Sequence, residues 1–247
     1  MNLWKFRHRF NKEILMRQGE LPVLSNRPGW ANARVQNTLN LAVDCLKGTG
    51  EAYFEVGSFG GKSLEAALIN NEEVQAYACD PEYSDSLQQV VEKHSVKFFH
   101  QPFEAVDLTT INQDIGIMYL DNDHSYENTF NHLVKVIPYL SNKAMIFVDD
   151  HCYCRSYNAV RDFVRDHSAN VTIVHELWPE CDIAKAMTNH CLDDWYNGFA
   201  CLEWEREPER LPHAFDEAVL GGFHCRGEGP YPKGYEDIIK EITGEPR

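Results

Sequence analysis

The sequence predicts an α/β fold, a mainly parallel sheet with helices on both faces. Three observations carry this expectation. From residue 35 onward, apolar stretches of strand length alternate with amphipathic stretches of helix length. The strand stretches are continuous apolar runs, the pattern of strands buried on both faces. A chain of 247 residues can cover such a sheet on both sides within one large domain.

The elements follow in order. Residues 1–34 form a basic arm, with Lys5, Arg7, Arg9, Lys12, Arg17, Arg27 and Arg34 against Glu13 and Glu20. A helix is expected over Leu3–Arg17, then a loop at Leu21–Trp30 with two prolines. The arm's expected role is packing on the domain or on a second copy of the chain. Its apolar face is too short to hold a membrane surface. A helix near Val35–Leu46 is stopped by Gly48-Thr-Gly50. Strands are then expected at Ala52–Val56, Val74–Cys79, Val96–His100, Ile115–Leu120, Ala144–Val148, Val171–Leu177 and Phe199–Trp204. Helices are expected at Lys62–Asn70, Ser84–His94, Tyr126–Leu140 and Asn158–His167. Residues 35–204 make the domain. The segment 178–198 breaks the alternation and reads as an insertion or lid, and residues 205–247 as a tail packed on the domain. Trp178, Trp195 and Trp204 are expected mainly as core aromatics.

Composition narrows the function. Lys plus Arg number 23 and Asp plus Glu 38, a net charge of −15. A surface that acidic is repelled by a phosphate backbone, so no nucleic-acid partner is expected. No apolar run is long enough to span a bilayer. Met1–Gln18 alternates basic and apolar residues, so no cleavable leader is expected. The eight Cys are scattered and include no C-x-x-C pair, which reads as reduced thiols in the cytoplasm.

In an open parallel sheet, ligands bind beyond the carboxyl ends of the strands. The first strand runs into Glu55-Val-Gly57-Ser58-Phe-Gly60-Gly61-Lys62-Ser63. Glycines permit a tight turn and close approach to the backbone, and the next helix offers free N–H groups. A P-loop would need Gly where Val56 stands, and a dinucleotide fingerprint would need Gly at Phe59. A Glu-x-Gly-x-x-x-Gly-x-Ser pattern fits without a gap: Glu55, Gly57, Gly61, Ser63. Asp80 ends the second strand, where an acid can accept from two ribose hydroxyls. The fourth strand runs into Asp121-Asn-Asp123-His124-Ser-Tyr126-Glu127, and the fifth into Asp149-Asp150-His151. Three or four carboxylates brought to one edge cannot all stay ionised without a cation. A hard divalent ion such as Mg2+ is the natural partner of oxygen ligands.

These residues together resemble a class I S-adenosylmethionine-dependent methyltransferase. The branch most similar is the metal-dependent small-molecule O-methyltransferases that include macrolide-sugar and aminocoumarin-sugar enzymes. The resemblance rests on Tyr53-Phe-Glu55-Val-Gly57, Ser63, Asp80, Tyr119-Leu-Asp121-Asn-Asp123-His124-Ser-Tyr126-Glu127 and Phe147-Val-Asp149-Asp150-His151, and covers about Val35 to Trp204. It implies a Rossmann-like fold with a seven-stranded sheet. It implies an S-adenosylmethionine site with Glu55 near the methionine amino group. Gly57, Ser58, Gly61 and Ser63 would line the methionine and ribose, with Asp121 beside them. Asp80 would hold the ribose hydroxyls, and Phe103 would border the adenine. It implies a Mg2+ site at Asp121, Asp149 and Asp150. The implied reaction is methyl transfer to a hydroxylated small molecule, such as a sugar, another diol or a catechol.

Methyl transfer is an in-line displacement, so a nucleophile must be held along the sulfur–carbon axis and lose a proton. His124 is the leading candidate base, Asp123 its rival and His151 a third. Two readings from other classes stand beside this one. Gly61-Lys62-Ser63 suggests a P-loop-like phosphotransferase, which ATP binding would reveal. A methyltransferase-like fold serving only as a binding subunit would keep the ligand and lose turnover.

Overall fold

The computed structural model describes residues 1–16, 21–177 and 198–207. The expected lid and nearly all of the tail, with Trp178 and Trp195, lie outside the described residues. Seven strands form one sheet: β1 (Ala52–Val56), β2 (Ala76–Cys79), β3 (Lys97–Phe99), β4 (Ile115–Leu120), β5 (Leu140–Asp149), β6 (Val171–Leu177) and β7 (Phe199–Glu205). Their order is β3-β2-β1-β4-β5-β7-β6, and only β7 runs antiparallel to its neighbours. The expectation of a mainly parallel, seven-stranded sheet is met. The order reverses between β1 and β4, so a crevice opens beyond their carboxyl ends.

Helices cover both faces, and residue parity along the strands decides which core each side chain enters. Tyr53, Ile117, Tyr119, Met145 and Phe147 face α1 (Leu3–Phe10), α2 (Ala33–Asp44), α3 (Lys62–Leu68) and α4 (Asp85–His94). Phe54, Val56, Met118, Leu120, Ile146 and Val148 face α5 (Tyr126–Val136) and α6 (Cys154–Asp166). Trp204 lies in this second core. By the same parity Glu55, Asp121 and Asp149 belong to the first face.

Some boundaries differ from the sequence reading. The first helix gives way after Phe10 to a wider turn over Asn11–Leu15, and Arg17 lies outside the described residues. The helix expected to reach Leu140 stops at Val136. Pro138 lacks an N–H, and Ile137–Tyr139 tighten into a 3-10 turn before β5 begins at Leu140. The arm is part of the core, since Phe6 and Phe10 are fully buried and Phe6 meets Phe147 edge-on. Arg7 pairs with Glu203 of β7 and Arg9 with Asp44 of α2. Among the described residues, no helix is long and apolar enough to cross a membrane.

Candidate active site

The glycine loop is shaped by a close approach. Gly57 has φ +84°, and a Cβ there would stand 1.7 Å from the Asp121 carbonyl oxygen. Only glycine lets the ends of β1 and β4 meet this closely. The loop then turns through Gly61 (φ +86°) into α3. Glu55 lies beneath it, fully buried, accepting from Tyr53 Oη at 2.6 Å and Ser63 Oγ at 2.9 Å. Burial pushes its carboxyl up to about 7, against the pull of those two hydroxyls. Ser58 Oγ is buried beside this carboxyl and adds to the same pull. Asp80, at the end of β2, accepts from Phe59 N–H at 2.7 Å and Glu82 N–H at 2.8 Å. Each carboxylate oxygen has a second lone pair for a ligand hydroxyl.

The acidic edge lies next to this loop. Tyr119 Oη donates to Asp149 and stands 3.5 Å from Asp121, bridging the ends of β4 and β5. His124 Nε2 stands 2.9 Å from Asp150 and 3.8 Å from Asp121. The His124 ring stacks on Tyr153, with centroids 5.6 Å apart. Desolvation and the neighbouring charges raise the Asp121 carboxyl, and burial and Asp150 push Asp149 up to about 7. Burial alone would lower His124, but the Asp150 hydrogen bond and the charges of Asp150, Asp149 and Asp123 prevail and raise it. Asp121, Asp149 and Asp150 thus share one edge with His124, and the crowding of like charge there raises Asp121 and Asp149.

Residues 54–151, from within β1 to just past β5, match the family model of a methyltransferase domain. Over these residues the chain is similar to a methyltransferase domain. Its activity class is S-adenosylmethionine-dependent methyl transfer. Two solved structures share the fold, which is the Rossmann-like class I methyltransferase fold. A protein assigned as an O-methyltransferase from Klebsiella pneumoniae is 16% identical, covering 79% of this chain and 94% of its own, with a TM-score of 0.52. A SAH-bound methyltransferase from Podospora anserina is 14% identical, covering 83% of this chain and 97% of its own, with a TM-score of 0.50. No curated protein sequence matches the chain.

Within residues 54–151, the structure brings Glu55, Ser58 and Ser63 together under the glycine loop and ties Asp80 to its crest. It groups Asp121, His124, Asp149 and Asp150 beside them. Asp123 stands apart from its expected role. Its carboxylate accepts from Ser125 and Asn128 at the start of α5, and those bonds outweigh desolvation and lower its pKa. That ties its carboxylate to Ser125, the N-cap of α5, and to the Asn128 side chain. Phe103 is buried in the second core against Phe54 and His132. His151 is fully buried and donates to Glu176 of β6 at 3.0 Å. Lys62 donates to the Gly29 carbonyl at 3.3 Å, which is not the place of a P-loop lysine.

The expected Mg2+ ligands stand at one edge but are engaged by protein groups, Asp149 by Tyr119 and Asp150 by His124. Among the described residues, no group of three or more His, Cys, Asp or Glu side chains is arranged to hold a metal ion. In this arrangement the three acids do not form a ligand set. Tyr53 and Tyr119 had no assigned role in the sequence reading. Their signal was parity, since each sits two residues before an acid on the same strand face.

Proposed function

We propose that the chain is an S-adenosylmethionine-dependent O-methyltransferase acting on a hydroxylated small molecule, with His124 as the proton acceptor. The observation that carries this is the His124–Asp150 contact of 2.9 Å at the cleft edge. Asp150 holds the proton of Nε2, which leaves Nδ1, with no partner among the described residues, to take a proton from an acceptor hydroxyl. The cofactor reading is supported by the domain match and by SAH in the Podospora neighbour. It is supported also by the polar groups at the loop: Glu55 for an ammonium group, and Asp80 for ribose hydroxyls. When bound, S-adenosylmethionine supplies the electrophilic methyl group. The chain's residues then orient the acceptor, hold its proton and keep the approach in line.

Mg2+ dependence is a second reading, favoured by the crowding that raises Asp121 and Asp149. The test is S-adenosylhomocysteine formation with catechol and vicinal polyols as acceptors, with and without EDTA. Turnover that survives EDTA supports the histidine base alone. Turnover restored only by Mg2+ supports the second reading, and no turnover with any hydroxyl acceptor contradicts O-methylation.

A further inference from the structure

A partly buried hydrogen-bonded chain runs from the exposed Glu104, in the loop after β3, through the buried His132 to the backbone of His124. Its protons can be assigned by donor logic. A backbone N–H can only donate. The His124 N–H meets Asn122 Oδ1 at 2.9 Å, and Thr129 Oγ lies 3.3 Å from the same oxygen. The amide of Asn122 is thereby fixed, and its Nδ2 faces His132 Nδ1 at 3.2 Å. An NH2 group donates, so His132 Nδ1 must accept. The imidazole proton then lies on Nε2, which donates to Glu104 Oε1 at 2.9 Å. The His124 N–H at one end and the Glu104 carboxylate at the other select this arrangement.

We infer that Asn122 and His132 are positioning residues for His124, with His132 held as the neutral Nε2–H tautomer between Glu104 and Asn122. The inference rests on His124 being the proton acceptor proposed above. The position needs such support. His124 has φ +57°, a conformation that costs a non-glycine residue energy unless its surroundings enforce it. The Asn122 hydrogen bond closes the turn that creates this conformation. His132 fixes which end of Asn122 faces it. His132 is buried on α5, with Phe103 edge-on at 4.8 Å, and Glu104, Asp123 and Lys135 are the charged groups around it. Burial keeps its imidazole below the usual pKa, which favours the neutral ring.

The test is nuclear magnetic resonance on the full chain with 15N-labelled histidine and backbone amides. The wild-type chain is expected to show His132 protonated on Nε2 alone. Asn122→Ala is expected to move the His124 ring signals and speed exchange of its amide about fivefold or more. Asn122→Asp keeps an oxygen for the His124 N–H, so His124 is expected to stay near wild type. His132, now between two carboxylates, becomes protonated on both nitrogens in that variant. A merely structural role would not give this separation of two histidines. His132 carrying its proton on Nδ1, or His124 unmoved in Asn122→Ala, would overturn the inference. The wild-type tautomer decides the question even if the alanine variant does not fold. Calorimetry with S-adenosylmethionine on the same samples reports on the proposed function separately.

Discussion

His124 and Asp150 face each other at 2.9 Å, and both have left-handed backbone, with φ +57° and +50°. They come from the loops after β4 and β5, neighbouring parallel strands. Two strained residues that meet across a cleft are held there by what surrounds them, and strain of this kind collects at functional sites. The contact predicts a shared role. His124→Gln should lower methyl transfer about 10²- to 10⁴-fold, the usual worth of a general base. Asp150→Asn should have a smaller effect in the same direction. Neither should change S-adenosylmethionine binding by more than about twofold, because the pair stands beside the glycine loop and not in it. Initial rates and calorimetry on both variants check this.

Gly57→Ala should be among the most damaging single substitutions. The added Cβ would lie 1.7 Å from the Asp121 carbonyl oxygen, with φ fixed at +84°. Backbone on both sides leaves nothing flexible to yield. A loss of about 3 kcal/mol or more is expected, read from urea unfolding.

Stability should fall as pH rises through neutrality. Glu55 and Asp149 each have a carboxyl raised to about 7, from ordinary values of 4.5 and 3.8. A raised pKa means that the folded chain binds the proton more tightly than the unfolded one. The stabilisation is therefore complete below about pH 4 and is lost as pH rises through about 7. Glu55→Gln, which keeps shape and cannot ionise, should flatten this slope by roughly 1 to 3 kcal/mol between pH 5 and pH 8. Thermal unfolding across that range, wild type against variant, measures it.

The arm should be inseparable from the domain. Phe6 and Phe10 are fully buried, and Arg7 reaches Glu203 on β7. Phe6→Ala should cost about 3 to 5 kcal/mol, as for other large core aromatics. Loss of the whole cooperative unfolding transition, rather than of a minor early phase, is the expected signature.

Much of this was legible in the sequence because strand-length apolar runs and the residues that follow them are local signals. Glu55, Gly57, Ser63 and Asp80 could be placed from one strand end at a time. The grouping of Asp121 with Asp149 and Asp150 followed from strand adjacency alone. Legibility failed where a role depends on contacts distant in sequence. Asp123 looked like a base beside His124, but Ser125 and the Asn128 side chain claim its oxygens. His151 follows the acid pair in sequence, and only the fold shows that β6 supplies its partner Glu176. His132 sits on the apolar face of α5 with Thr129, Leu133 and Val136, and only the folded loops show its partners Glu104 and Asn122.

The central claim is an S-adenosylmethionine site between the glycine loop and Asp80. Calorimetric titration of S-adenosylmethionine into the wild-type chain and into Asp80→Ala tests it most directly. The account predicts micromolar binding by the wild type, weakened at least about tenfold in the variant, which loses a charged hydrogen-bonding partner. No binding by the wild type, or equal binding by both, would contradict it.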